Sequence, residues 1–536
     1  MPDTAITARP NEPQHPTHRA DVAGTAYAAR MSPAHRKSHG LYLTPTAVAN
    51  FMAAQITTSA DTIRILDPAA GAGILLCSAV EFLTARATAP RRIELVAYEV
   101  DGALADILAD VLAMVLEWAA SRGVEIAFEI VNADFLLEHA AALRSMGELL
   151  PHPRSGRAFD VVIANPPYFK LNKGDPRAVA AAAVVHGQPN IYGLFMAVGA
   201  ALLAEGGESI FITPRSFASG LYFGLFRKWY FNMIRPEFAH VFGSRRDTFV
   251  RDAVLQENIV VKGIRQEAWW TRNSNQYLTI STSHGINDLH ATKQRSVRLD
   301  SVLDIRSREK VLRLPITFAE DELIHLVDRW PGSLEKYGLQ ISTGPVVAFR
   351  ADEFIETAGQ VPDSHVPLLW MNHVLAMRVT WPLSRRKPEY IKNVIAAQPI
   401  LVPNRNYVLL RRFSAKEEAR RLVAGPYIAH TTNAPMLGLE NHLNYIARPG
   451  GTLTEDETFG LAALFSSAVL DTYFRSSNGN TQVGATELRK MPLPTLDVIS
   501  AIGRQARAIV NDIDAIDNLV MRAANATRST KVCASG

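Results

Sequence analysis

Cysteine is all but missing from this chain of 536 residues: there are two, Cys77 and Cys533, far apart and outside any CxxC pair. That excludes a disulfide framework and a cysteine zinc site as the basis of the fold, and it suits a reducing cytosol. No uninterrupted apolar run reaches the ~18 residues that a membrane-spanning helix needs. The N-terminus also lacks the charged-then-apolar plan of a signal peptide. A cytoplasmic protein without membrane attachment is therefore expected. A strong excess of one charge is absent as well: 56 Lys and Arg stand against 52 Asp and Glu, a formal net charge of +4. So mild a balance permits a polyanionic partner without demanding one, because a basic groove can hide in a modest total. The composition, 48% hydrophobic and 20% charged, is that of a globular protein, and the length exceeds what one core supports.

What is present divides the chain. Residues 1–36 are rich in Pro, Thr, His and Ala with little periodicity, and a disordered arm is expected there. From His39 to about Gly263, short β-branched runs alternate with Ala/Leu-rich helical stretches. Strands are expected at Arg64–Asp67, Ile93–Glu99, Ile126–Val131, Phe159–Ala164 and Ser209–Thr213, and helices at Ile74–Ala85, Gly102–Ala119 and Ile191–Ala204. In the last helix Ile191, Leu194, Phe195, Val198 and Leu202 share a face, and Gly206-Gly207 supplies a stop. This alternation predicts an α/β fold, a Rossmann-like and mostly parallel sheet with helices on both faces. Beyond residue 265 the alternation fails, and a C-terminal mixed α/β domain is expected. One helix there is signalled by a capping box at Ser414–Glu417 running on to Leu422, another by apolar spacing over Val498–Val520. The expected divisions are therefore 1–36, 37–265, 266–525 and a flexible tail, 526–536.

In such a sheet, ligands bind beyond the C-terminal strand ends. Ile65-Leu66-Asp67-Pro68-Ala69-Ala70-Gly71-Ala72-Gly73 is a strand entering a small-residue turn and then a helix. Gly71 and Gly73 allow close backbone approach, while Asp67 disfavours a pyrophosphate and suits a cationic amino-acid moiety. Leu76 stands where the third glycine of GxGxxG belongs, and no GK[ST] follows, so dinucleotide and P-loop readings lose ground. Glu99, at the next strand tip, is suited to accept both hydroxyls of a ribose. Asp134 can accept from an adenine amino group while Phe135 packs on the ring. Each signal alone is also compatible with an ordinary turn or a solvated acid. Together they outline a pocket for a nucleoside joined to an amino acid, as in S-adenosylmethionine.

The most specific segment is Phe159-Asp160-Val161-Val162-Ile163-Ala164-Asn165-Pro166-Pro167-Tyr168. A bare Asn-Pro-Pro is most simply a stiff turn, but this one follows three cofactor signals at the matching sheet edge. The chemistry accounts for the residue types. An adenine N6 amine is a poor nucleophile because its lone pair is delocalised into the ring. The Asn165 side-chain oxygen and the Pro166 carbonyl can each accept one N6–H, drawing the nitrogen toward tetrahedral geometry. Pro166 and Pro167 stiffen the backbone, so the acceptors are preorganised. Tyr168 is expected to offer a stacking face to a base that has left the duplex. No metal is needed.

These residues resemble the N6-adenine DNA methyltransferases of type II restriction–modification systems, class I S-adenosylmethionine-dependent enzymes of gamma order. The likeness spans Gly40 to about Val261. Gly40-Leu41-Tyr42-Leu43-Thr44-Pro45 is similar to that family's N-terminal motif and implies cofactor contacts by Thr44 and Pro45. The resemblance further implies cofactor roles for Asp67, Ala69, Gly71, Glu99, Asp134 and Phe135, and catalytic roles for Asn165, Pro166, Pro167 and Tyr168. Asn190-Ile191-Tyr192 and Ile212–Phe217 are similar to later family segments, and Phe249 is aligned as a second aromatic around the flipped base. In the C-terminal region Ser342–Val347, Arg411–Phe413, Asn441–Tyr445 and Gly479–Val483 resemble target-recognition segments. Arg405, Arg411, Arg412, Lys416, Arg420 and Arg421 form a basic cluster suited to phosphates, or else a solvated face. Asn480 and Gln482 carry amides able to pair with adenine edges, or sit in a polar loop.

The implied partners are double-stranded DNA and a cognate endonuclease acting on the same site, and the implied state is a monomer. Asn-Pro-Pro-Tyr also occurs in enzymes that methylate a protein glutamine, with close variants acting on RNA. The roughly 270 residues after the core favour a reader of duplex DNA. The modification subunit of a multi-subunit system is a further alternative, disfavoured because only a short arm precedes His39.

Overall fold

The computed structural model describes residues 15–32, 43–145, 158–185, 189–243, 258–271, 275–307, 309–356, 364–383, 387–414, 418–477 and 482–532. The chain divides into two compact units, Met1–Ile316 and Thr317–Gly536.

The first unit is built on a sheet that has nine strands among the described residues: β1 (Thr62–Asp67), β2 (Arg92–Tyr98), β3 (Glu125–Val131), β4 (Phe159–Ala164), β5 (Leu203–Pro214), β6 (Ile234–Phe242), β7 (Asn258–Arg265), β8 (Tyr277–Ser283) and β9 (Lys293–Arg298). Their spatial order is β3-β2-β1-β4-β5-β7-β6-β8-β9. The first five in that order run parallel, and β7 lies antiparallel between β5 and β6. The expected open α/β sheet is present, and the order reverses between β1 and β4. That reversal splays the helices apart and opens a crevice beyond the tips of these two strands.

Strand period fixes the two cores, because alternate side chains leave opposite faces. Ile63, Ile65, Val161, Ile163, Ile210 and Ile212 pack on one face with the helices Thr46–Ala53, Ile74–Thr84 and Gly102–Ala120. Leu66, Val162, Ala164 and Phe211 pack on the other with Ile191–Leu202 and Gly224–Met233. Near-continuous apolar strands are what double-sided burial requires. The Ile191–Leu202 helix ends because Leu203 is already extended, with Gly206 (φ 82°) lying further on inside the β5 run.

Three expectations change here. Residues Pro16–Arg30, assigned to a disordered arm, form an α-helix with Pro16 in its first turn. Ala20, Tyr27 and Ala28 are buried, and Gly24 lets the helix approach closely: a Cβ there would meet Ala72 Cβ at 3.2 Å. The sheet does not stop at 265, since β8 pairs parallel to β6 and β9 antiparallel to β8, which carries the first unit to Ile316. Gly40, Leu41 and Tyr42 of the N-terminal motif lie outside the described residues.

Among the described residues the second unit holds sheets of four, five and two strands and a helical cluster. Gln340–Thr343, Leu443–Ala447, Tyr407–Arg411 and Ala424–Tyr427 form an antiparallel sheet, and a five-stranded sheet is centred on His365–Leu369. Mixed α/β structure is as expected, but the helix foreseen from Ser414 to Leu422 is not there: residues 418–420 are irregular and Ala424 begins a strand. The true capping boxes open at Thr317 with Glu320 and at Thr454 with Glu457. The helix foreseen over Val498–Val520 is split into Leu496–Ala506 and Ile513–Val532, with Asp512 accepting the Ala515 N–H at the break.

Candidate active site

Beyond the tips of β1, β2 and β4 lies a cavity of about 410 Å³. Its floor is the turn after β1. Gly71 (φ 56°) and Gly73 (φ 84°) take left-handed conformations that side chains rarely adopt. At Gly71 a Cβ would meet nothing within 4 Å, so this backbone faces open space. At Gly73 it would strike Leu108 Cδ1 at 2.6 Å, so that glycine serves the approach of the Gly102–Ala120 helix. Asp67 closes β1 with 1% exposure. Its Oδ1 accepts the Ala69 N–H at 3.1 Å, while its Oδ2 has no hydrogen-bond partner among the described residues. Burial, reinforced by the Glu99 carboxylate, pushes Asp67 up to about 7.

The two other strand-tip acids are engaged differently. Glu99 accepts the Gly71 and Asp101 N–H groups, one on each oxygen, both at 2.9 Å, which pins its carboxylate across the crevice. Burial nevertheless holds its titration above the usual carboxylate range. Asp134 caps the Phe135–Glu138 turn, with Oδ1 accepting from Leu136 and Leu137 at 2.9 and 3.1 Å. Phe135 is 2% exposed, edge-on to Tyr98 and stacked on Phe195 at 5.5 Å. All of these line the cavity, as do Thr44 and Ala69. Pro45 does not: its carbonyl starts the Thr46–Ala53 helix, accepting from Val48 and Ala49.

The Asn165–Tyr168 loop leaves β4 at the same end, and Asn165 and Pro167 reach the cavity wall while Pro166 is buried behind it. The Asn165 amide is held from both sides. Its Nδ2 donates to Thr44 Oγ1 at 3.0 Å, and its Oδ1 accepts from the Tyr168 hydroxyl at 2.6 Å. That hydroxyl also faces the Ile212 carbonyl at 2.9 Å. The hydroxyl thus lies between two acceptors and holds Oδ1 in place. Tyr168, the residue expected to stack on the target base, is 7% exposed, edge-on to Tyr192, and its hydroxyl orients Asn165. Tyr192 in turn bonds Ser216 at 2.7 Å, joining the two later segments singled out in the sequence. Phe249 lies outside the described residues.

Sequence reasoning missed the Pro16–Arg30 helix as part of this site. Ala20, Asp21 and Gly24 line the cavity. Asp21 accepts from the Thr46 hydroxyl at 3.2 Å, and Tyr27 donates to Asp101, whose other oxygen caps the Gly102–Ala120 helix. The signal was the apolar spacing of Ala20, Ala23, Tyr27 and Ala28, masked by the polar composition around it.

Comparison with known proteins decides the family. The profile described as Eco57I restriction-modification methylase matches residues 121–247. The chain is 31% identical over 473 residues to the type II methyltransferase M.BsuBI of Bacillus subtilis, covering 87% of this chain and 89% of that protein. It is 32% identical over 472 residues to M.PstI of Providencia stuartii, covering 88% and 90%. The chain belongs to the type II DNA methyltransferases of restriction–modification systems. Among solved structures, the DrdV–DNA complex covers 91% of this chain and 59% of that one at 14% identity and a TM-score of 0.47, a likeness too remote to carry an inference.

The residues of this methyltransferase expected to touch DNA have mixed placements. Arg405 is exposed and donates to the Gly451 carbonyl at 2.8 Å. Arg411 and Arg412 donate to the carbonyls of Val374 and Asn441 at 2.7 and 2.9 Å. Arg420 is ion-paired with Asp517, and Arg421 is 1% exposed over the Phe474 ring, so these two leave the proposed phosphate cluster. Gln482 is exposed and bridges to Phe413, while Lys416 and Asn480 lie outside the described residues. Among the described residues there is no cluster of metal-ligating side chains, and no helix long and apolar enough to cross a membrane.

Proposed function

We propose that this methyltransferase moves the methyl group of S-adenosylmethionine to N6 of adenine at a specific site in duplex DNA. The observation that carries this reading is the fixed Asn165 side-chain oxygen at the wall of a cavity whose floor holds an unpartnered, buried Asp67 oxygen. The pocket suits that cofactor on three counts: its volume, the open backbone at Gly71, and an orphaned carboxylate oxygen that calls for a cationic donor.

When bound, S-adenosylmethionine supplies a methyl group on a cationic sulfur, already activated as an electrophile. Asp67 would hold the ammonium end, and Glu99 would accept ribose hydroxyls on the lone pairs its backbone partners leave free. Phe135 would pack on the adenine. Asn165 Oδ1 and the Pro166 carbonyl would each accept one hydrogen of the target amine, localising the nitrogen lone pair before attack. Two prolines hold these acceptors in place without reorganisation, which is where such electrostatic catalysis gets its advantage. Tyr168 and Thr44 keep the Asn165 amide from rotating away. The Thr317–Gly536 unit would read the sequence, with Arg405, Arg411 and Arg412 near phosphates and Gln482 near base edges, the enzyme acting as a monomer beside a cognate endonuclease.

Expression in a host lacking adenine methylation, followed by modification-sensitive sequencing of its DNA, tests the reading. N6-methyladenine in one sequence context is expected. Methylated cytosine, or unmodified DNA from an enzyme that binds the cofactor, would refute it.

A further inference from the structure

Asp134, the acid assigned above to the cofactor's exocyclic amine, has a cationic neighbour. Its Oδ1 is taken up by two backbone N–H groups, and its Oδ2 meets Arg177 Nη1 at 3.3 Å. Arg177 stands on the Pro176–Ala180 turn and is clamped by Asp175, Nε to Oδ1 at 2.9 Å and Nη2 to Oδ2 at 2.6 Å. Its guanidinium lies 5.8 Å from the Phe169 ring centroid. Asp134, Phe169 and Arg177 all line the cavity, and Phe169 directly follows the Asn165–Tyr168 loop. A continuous set of contacts therefore joins the strand-tip acid to the downstream arm of the catalytic loop.

An arginine carries five donors and no acceptor, so it cannot bind an amine itself. It acts on the amine only through the carboxylate beside it. With both Asp134 and Arg177 about three-quarters buried, at 24% exposure each, the pair is screened less than a surface ion pair. Arg177 fixes the direction of the Asp134 Oδ2 at the cavity wall, where the carboxylate stands as an acceptor.

We propose that Arg177 is a positioning residue that makes this pocket selective for a 6-aminopurine, an inference that rests on the S-adenosylmethionine reading. A 6-oxopurine brings a carbonyl oxygen to the same place and finds an oriented carboxylate that repels it. Without Arg177, Asp134 keeps only its Oδ1 bonds to Leu136 and Leu137, Oδ2 loses its fixed direction, and the selectivity falls with it.

The test is calorimetric binding of S-adenosylhomocysteine and of its 6-oxo counterpart, S-inosylhomocysteine, to the full chain. The wild type is expected to favour the amino ligand by about tenfold or more, the range for losing a charged hydrogen bond. Arg177→Met is expected to bind it about tenfold more weakly and to discriminate by less than about threefold. Arg177→Lys should recover most of the discrimination, and the loss in Arg177→Met should fall on cofactor KM more than on kcat. Asp175→Asn, which loosens Arg177 without removing it, should lower the ratio in the same direction and covers the case of an Arg177→Met chain that does not fold. An unchanged ratio in these variants, or an equal loss for both ligands, overturns the proposal while leaving the cofactor reading intact. A wild type that binds neither ligand overturns both.

Discussion

Replacing Asp67 with Asn should stabilise the ligand-free protein while crippling its use of cofactor, and pH separates the two effects. The carboxyl moves from an ordinary 3.8 to about 7 because it is buried and faces Glu99. At about 1.4 kcal/mol per tenfold change, that gap corresponds to about 4 kcal/mol. The sign follows from proton counting. Between these two values the folded state holds a proton that the unfolded state has released, so stability falls as pH rises from about 4 to about 7. Above about 7 the carboxylate is ionised in both states and the full cost persists. Urea unfolding of wild type and Asp67→Asn without ligand, between about pH 5 and 8, reads this directly. The difference in stability should grow in favour of the variant up to about pH 7 and then level off.

Cofactor binding inverts the balance. A cationic group brought to Oδ2 stabilises the ionised form, so binding below pH 7 must expel a proton from Asp67. Affinity should rise about tenfold per pH unit toward pH 7 and flatten above it, with proton release visible by calorimetry in buffers of different ionisation enthalpy. Asp67→Asn should show neither the rise nor the release. A wild-type affinity that is flat from pH 5.5 to about 7, with no proton expelled, would refute the assignment of Asp67 to the ammonium end.

Other consequences are simpler to read. Asn165→Ala should cost about a hundred- to a thousandfold in kcat, the scale of losing one preorganised polar group, with cofactor Kd unchanged. Retained turnover rejects the role given to Asn165. Tyr27→Phe removes the hydroxyl that ties the Pro16–Arg30 helix to Asp101. Stability should fall by about 1 kcal/mol, and cofactor release measured by stopped flow should quicken several-fold; an unaltered release rate detaches the helix from the site. In DNA titrations against salt, Arg405→Ala should lower the slope of log K by about 1, and Arg420→Ala should leave it unchanged because Asp517 already neutralises that charge. Equal slopes in the two variants would contradict the division made among these arginines.

The core was legible because it is written in period and punctuation. The C-terminal halves of β1, β2, β4 and β5 are buried on both faces, as a covered parallel sheet demands whatever the partner. The place of the Asn165–Tyr168 loop was legible from its context, because Asn-Pro-Pro alone reads as a stiff turn but here leaves a strand at the same sheet edge as the three acids. What failed depends on tertiary context. The Pro16–Arg30 helix has too weak an apolar stripe to be read alone, and it is stabilised by packing on the glycine turn and by the Tyr27 and Thr46 hydroxyls. The helix expected to run on to Leu422 is replaced at 418–423 by irregular chain, because Leu422 and Ala424 are drawn into the core under an antiparallel sheet. Conversely, the Thr317 and Thr454 boxes were present in the sequence but stood ahead of weakly periodic runs. Arg420 and Arg421 show the limit of reading charge from proximity. Adjacent in sequence, one meets a carboxylate and the other an aromatic face, and neither partner is near in the chain.

The three strand-tip acids looked alike in sequence, yet the fold leaves them in three electrostatic conditions. Asp134 is engaged on both oxygens by two amides and a guanidinium, so a ligand amine adds a hydrogen bond there without meeting an uncompensated charge. Glu99 is held by two amides and remains open on its outer lone pairs, which suits hydroxyls that donate without bringing charge. Asp67 alone keeps a buried oxygen with no donor among the described residues, and that is the condition a positive charge relieves most. Binding free energy should therefore be concentrated at the amino-acid end of the cofactor, with selectivity for the base at the Asp134 end. Separating affinity from selectivity in this way keeps the sulfonium's surroundings free for Asn165, whose amide is already committed to Thr44 and Tyr168 rather than to the cofactor.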